Sequence, residues 1–288
     1  MPRVAAIDCG TNSIRLLVAD LVDSERGMGV RDVYRGMQIV RLGQGVDATG
    51  LLAPQALERT RQALTDFKSI LDATGADTVR MVATSATRDA ANREEFFTMV
   101  RATLGIDAEV ISGDEEAELS FIGAVGDLAA EDGPFVVTDV GGGSTEVVAG
   151  ELVDGKALVR AAESVDVGSV RITERCLHGD PPTSEEVAEA RRVTSSILAG
   201  AFAKVPVEGA RTWVGVAGTV TTLSAVAQRL PRYDPEAVHL SRLSLAEVHQ
   251  VTEDLLAMSR EERSQLGGLH PGRIDVIGGG ALIVDTLA

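Results

Sequence analysis

Aromatic residues are scarce in this chain: Phe, Tyr and Trp together make up 3% of 288 residues, with a single Trp. A core must therefore be built from aliphatic side chains, and the 44% apolar content is enough for one. Long apolar runs are missing as well, since none reaches the roughly 18 residues that a membrane span requires. Cysteine is limited to Cys9 and Cys176 in unrelated contexts, which excludes a CxxC redox pair and a Cys/His metal spacing. Positive charge is short: 27 Lys and Arg stand against 43 Asp and Glu, a formal net charge of −16. That argues against nucleic acid or an anionic membrane as a partner. An acidic protein binds an anion only by local means: backbone amides, a few placed arginines or a divalent cation. The opening MPRVAAIDCG runs straight into a strand-like segment without the zones of a secretory leader, so a cytoplasmic location is expected.

What is present is alternation of strand and helix signals. Apolar segments at Arg3 to Cys9, Ser13 to Val22 and Gly29 to Val40 predict three strands, the first two joined by a glycine turn. Pro54 opens a helix to about Ala73, Val79 to Ala83 is a short strand, and Asn92 with Glu95 makes a capping-box start for a helix to Leu104. Asp114 to about Ala130 is helical. A second strand, glycine turn and strand then follow at Phe135 to Val140, Gly141 to Gly143 and Ser144 to Val153, with a further β segment near Leu158 to Val165. Helices are expected at Gly168 to Cys176, Ser184 to Lys204, after Thr219, at Ser244 to Met258 and from Pro271 onward, with a strand at Thr212 to Val216. The alternation predicts an α/β protein.

The two hairpins superpose at an offset of about 131 residues, IDCGTNSIRLLVADLVD lying over TDVGGGSTEVVAGELVD. Asp8 falls on Asp139, Gly10 on Gly141 and Ser13 on Ser144, so two similar domains facing a cleft are expected. A glycine turn lets backbone approach a ligand, and its N–H groups can form an anion-binding concavity. The Asp before each turn can hold a divalent cation. Glu146 falls on Arg15 at this offset, so one hairpin offers a carboxylate where the other offers a guanidinium.

These residues carry a family resemblance. DCGTNSIRLLV and DVGGGSTEVV resemble the two phosphate motifs of the actin, sugar-kinase and heat-shock ATPase superfamily. More narrowly, the chain is similar to the exopolyphosphatase / guanosine pentaphosphate phosphohydrolase (Ppx/GppA) family. The matching segments include ATSATRDAANREEF, VISGDEEAELSFIGA, GVAGTVTTLSAV and RIDVIGGGALIV, in order along essentially the whole chain. The resemblance implies two actin-like (ribonuclease H-like) domains flanking a cleft, set at 1–125 and 126–288, with the C-terminal helix packing back on the first. It implies the short two-domain form, acting on inorganic polyphosphate, short chains first, with guanosine pentaphosphate as the alternative substrate. A homodimer is expected on the same ground. ATP-dependent phosphotransfer and a non-catalytic nucleotide-sensing module are the competing readings of the same hairpins.

Carried over residue by residue, the resemblance makes Glu116 the base that orients or deprotonates water. The residues alone leave Asp114, Glu115, Glu116 and Glu118 open, all at one helix start, with Glu115 as the fallback. Asp139 and Glu146 are expected to bind Mg²⁺, or Mn²⁺, with Asp8 supporting. Gly10, Thr11, Asn12 and Ser13 in the first turn are expected to contact phosphate. So are Gly141, Gly142, Gly143, Ser144 and Thr145 in the second. Arg15 and Arg88 are candidate phosphate ligands, while for Arg93 a solvated helix face competes. Gly218 and Thr219 are candidates against a packing alternative, and packing is preferred for the glycines of RIDVIGGGALIV. Ser85 has no His near it in sequence and is not expected to be a nucleophile.

Overall fold

The computed structural model describes residues 2–24 and 27–288. The chain forms two compact units, Met1–Ser112 and Gly113–Ala288. The first contains β1 (Arg3–Cys9), β2 (Ser13–Ser24), β3 (Gly27–Ile39), α1 (Val46–Thr49), α2 (Pro54–Thr74), β4 (Thr78–Ala83), α3 (Ser85–Asp89), α4 (Arg93–Leu104) and β5 (Glu109–Val110). The second contains α5 (Gly113–Val125), β6 (Phe135–Val140), β7 (Thr145–Val153), β8 (Lys156–Val165), α6 (Ser169–Cys176), α7 (Ser184–Phe202) and β9 (Thr212–Val216). It continues with α8 (Ala217–Ala227), α9 (Pro235–Val238), α10 (Leu245–Ala257), α11 (Arg260–Arg263) and α12 (Ile277–Leu287).

The internal repeat holds in three dimensions. The first sheet has the order β3-β2-β1-β4-β5 and the second β8-β7-β6-β9. In each, a three-stranded antiparallel meander is followed by a parallel strand laid against its first strand. The register agrees as well: Asp8 stands opposite Arg15, and Asp139 opposite Glu146. These are the paired actin-like α/β halves expected from the sequence.

Each unit has its own aliphatic core with a few phenylalanines. In the first, α2 turns Ala56, Ala63, Leu64, Phe67 and Leu71 onto a sheet face that holds Ile7, Leu16 and Met81. Helical spacing of three and four residues makes that face continuous. Asn92 does not cap α4; its side chain instead ties to the backbone of Leu52 at both ends and to Glu95. In the second unit, β6 is buried along nearly its whole length, as a strand covered on both faces must be.

Two expectations change. The division lies at Ser112/Gly113, one helix earlier than the expected 125/126, because α5 buries Ala117, Phe121 and Val125 against Phe135, Val137 and Val148 of the second sheet. The Phe121 ring occupies a notch over Gly150, where a Cβ would collide with its Cζ. The C-terminal helix α12 packs on α6, α7, α8 and α10 of its own unit. Its glycines permit this: a Cβ on Gly279 would sit 2.5 Å from Thr173 Oγ1, and one on Gly280 2.5 Å from Thr219 Cγ2. Among the described residues no helix is long and apolar enough to cross a membrane.

Candidate active site

Both glycine turns sit where a buried strand ends and its antiparallel partner begins. In the first, Gly10 N donates to Ser13 O at 3.0 Å and closes the turn. Thr11 Oγ1 and Ser85 Oγ lie 2.8 Å apart, both buried, so Ser85 positions the turn. The Asn12 side chain is 7% exposed, and neither its Nδ2 nor its Oδ1 has a hydrogen-bond partner. A buried amide without partners costs about 1–3 kcal/mol, so this group is built to meet a ligand or water. Beside it, Arg15 Nη1 lies 3.6 Å from Asp8 Oδ2. Arg88, at the end of α3, donates from Nη1 to Ile111 O at 2.9 Å. Arg93 is exposed on the first turn of α4, which favours its solvated role.

The second turn carries a different charge pattern. Where Asp8 faces an arginine, Asp139 faces Glu146. Glu146 is 1% exposed and accepts a hydrogen bond from Ser164 Oγ at 2.7 Å. Burial first, then the negative charges of Glu116 and Asp139, hold its carboxyl well above the usual range, against the opposing pull of the Ser164 and Ser144 hydroxyls. Asp139 Oδ2 in turn accepts from Ser120 Oγ at 2.8 Å. Of the four acids at the start of α5, Glu116 is the one whose charge bears on Glu146. Asp114 and Glu118 are exposed. The close approach of this helix start to β8 requires Gly113, where a Cβ would lie 2.5 Å from Ser164 Cβ.

Three carboxyl groups thus converge in the second unit, and the negative charges of Glu116 and Asp139 bear on the enclosed Glu146. Oxygen donors of this kind suit a hard divalent cation, and one that displaced the proton of Glu146 would relieve the repulsion. Asp8 belongs to the first unit, where Arg15 compensates it. A second cluster with metal-like spacing, His249, Glu253 and Asp285, already holds a cation of the protein's own. Arg191 reaches Asp285 at 2.7 Å and Glu253 at 2.6 Å.

Gly218 and Thr219 open α8, but both are covered. The Arg273 guanidinium fills the space a Cβ on Gly218 would take, and Thr219 is 3% exposed against Gly280. Both are closely packed in the second unit. Three positioning groups escaped sequence reading: Ser120, Ser164 and Arg171. Ser120 lies one helical turn beyond Glu116, and Ser164 lies opposite Glu146 in the β7–β8 register, so strand pairing would have disclosed it. Arg171, whose Nε donates to Gly143 O at 2.8 Å, is separated from that turn by the whole of β7 and β8.

The sequence pattern of the Ppx/GppA phosphatase family matches residues 21–288. Exopolyphosphatase 2 of Mycobacterium tuberculosis is 56% identical over 293 residues, covering 100% of this chain and 90% of that protein. A guanosine-5'-triphosphate,3'-diphosphate pyrophosphatase of Aeromonas salmonicida is 32% identical over 98% of this chain and 54% of its own length. Among solved structures, an exopolyphosphatase-like protein superposes with a TM-score of 0.92 at 44% identity, over 99% of this chain and 88% of that one.

Proposed function

We propose, from the premise that this chain belongs to the Ppx/GppA phosphatase family, that it is an exopolyphosphatase. It releases orthophosphate from the end of inorganic polyphosphate by attack of water on the terminal phosphoryl group. The observation that carries this reading is the convergence of Glu116, Asp139 and the buried Glu146 beside a glycine turn. The 56% identity to a protein named exopolyphosphatase supports the substrate.

In this mechanism Glu116, at the first turn of α5, orients the attacking water and takes its proton. Asp139 and Glu146, whose carboxylates accept from Ser120 and Ser164, would hold Mg²⁺, with Mn²⁺ as the alternative. When bound, the ion neutralises charge on phosphate oxygens and so favours phosphoryl transfer. The amides of Gly142, Gly143 and Ser144 bind phosphoryl oxygens through fixed dipoles that need no reorganisation. The Asn12 amide and the turn around it bind phosphate in the first unit, with Arg15 and Arg88 as supporting cations.

The test is phosphate release from short-chain polyphosphate, long-chain polyphosphate and guanosine pentaphosphate, each with and without Mg²⁺. Metal-dependent release from polyphosphate without an acceptor is the expected result, with short chains preferred. The net charge of −16 favours a locally held substrate over a long one. Guanosine pentaphosphate is the second reading, favoured by the Aeromonas relative, and a higher kcat/KM on it than on polyphosphate would replace the first. No release from any of the three, or transfer only to an acceptor with ADP formed from ATP, would overturn the proposal.

A further inference from the structure

The second glycine turn is held from behind by the helix that follows its sheet. Gly141 O accepts from Ser169 N at 2.9 Å. Gly142 O accepts from Val170 N at 2.9 Å and from Arg171 N at 3.2 Å. Gly143 O accepts from the side-chain Nε of Arg171 at 2.8 Å. Three successive carbonyls therefore point at the start of α6. The peptide bonds here are trans and planar, so each carbonyl and the N–H of the next residue point in opposite directions. Fixing these three oxygens turns the N–H groups of Gly142, Gly143 and Ser144 away from α6 together.

The arrangement also solves a problem for the helix. The first amides of a helix have no partner within it, and the N-cap of α6 is Gly168, which has no side chain to offer. The turn carbonyls take that place. The fit demands glycine at 168, because a Cβ there would lie 2.5 Å from Gly142 C and O. Two of the three carbonyls are held by backbone that any residue would supply. The third depends on one side chain, and the Arg171 side chain is only 12% exposed. The first unit reaches the same end differently, with the backbone after β3: Gly43 N holds Thr11 O at 2.8 Å, while Val40 N and Arg41 N hold Asn12 O at 3.0 Å and 2.9 Å.

We infer that Arg171 is a positioning residue for phosphoryl transfer. It locks the Gly143–Ser144 peptide so that the Ser144 N–H is presented to a phosphoryl oxygen, and it does so without touching substrate. The inference rests on the exopolyphosphatase reading for its substrate, but the geometry stands apart from it.

The test compares wild type, R171A and R171K in steady-state hydrolysis of short-chain polyphosphate at saturating Mg²⁺. It also follows the backbone amide signals of Gly143 and Ser144 in two-dimensional NMR while inorganic phosphate is added. R171A is expected to lower kcat/KM roughly tenfold or more, as loss of one preorganised donor does. Its melting temperature stays close to that of wild type, and the phosphate response of the Ser144 amide is lost. R171K, which keeps the charge but not the planar Nε–H, should not restore the amide response, and it serves as the test protein if R171A does not fold. A kcat/KM within twofold of wild type, or an undiminished Ser144 response in either variant, overturns the inference. A wild type that shows the Ser144 response but hydrolyses no polyphosphate overturns the functional reading and leaves Arg171 in its role.

Discussion

Glu116 and Glu146 are both carboxylic acids of one site, and their surroundings set them different tasks. Glu116 is half-buried at a helix start, whereas Glu146 is enclosed and faces two other acids. We expect Glu116→Gln to retain phosphate binding, read by calorimetry, while kcat falls by about 10²–10⁴, the usual contribution of a positioned general base. Full turnover in that variant would move the role to Glu115. Glu146 makes a prediction of opposite character. Its folded-state pKa is raised, so between the ordinary glutamate range and that raised value the folded protein holds a proton that the unfolded chain has lost. Stability without metal therefore falls as pH rises through this window. Glu146→Gln should raise the melting temperature of the metal-free protein at pH 8, have little effect near pH 4, and weaken Mg²⁺ binding. Mg²⁺ binding to wild type, at a pH where Glu146 still carries its proton, should release that proton, seen as a buffer-dependent heat in calorimetry. A Glu146→Gln protein less stable than wild type at pH 8 without metal would show that burying the Glu146 carboxylate carries no net cost.

At the scale of elements, α5 connects the core to the chemistry. Its inner face buries Phe121 over Gly150, and its first turn carries Glu116. Phe121→Ala should cost about 3–5 kcal/mol in denaturant unfolding, as large core truncations do. It should also lower kcat more than KM under conditions where the protein remains folded, because the helix start loses its anchorage. An unchanged kcat would separate the core contact from the site. This element was half legible in the sequence. The sequence predicts a helix from Asp114 to about Ala130, but its apolar residues fall on more than one side, with Leu119 and Ile122 exposed. It does not say which of them a sheet covers, and the expected boundary put α5 with the first unit instead of the second. The C-terminal helix shows the same division. Its glycines indicate close packing, but the partners α6 and α8 lie far away in sequence.

For the whole molecule, the net charge of −16 makes approach of a polyanion unfavourable at long range. Going from about 20 to about 200 mM monovalent salt shortens the screening length from roughly 20 to roughly 7 Å. At constant free Mg²⁺, kcat/KM for polyphosphate should therefore hold or rise. A steep fall would point instead to a basic channel for the substrate. As part of the functional proposal we also expect a homodimer, for which light scattering would give twice the 30.2 kDa of one chain. A monomer at micromolar concentration would count against it.

The two glycine turns were legible from sequence alone, because their chemistry is local. A strand, a turn of glycines and hydroxyls, and a flanking acid are contiguous in the chain, and their recurrence at a fixed offset exposed the duplication. The absence of aromatics, the acidic balance and the lack of long apolar runs likewise belong to composition. Tertiary structure decided what depends on groups remote in the chain: that Glu116 rather than its three neighbours bears on Glu146, that Ser120 and Ser164 hold the acids, and that α5 belongs to the second unit. It also decided the direction of the turn amides. Glycine permits many orientations of a peptide, and the start of α6 with Arg171, lying beyond two further strands, selects one.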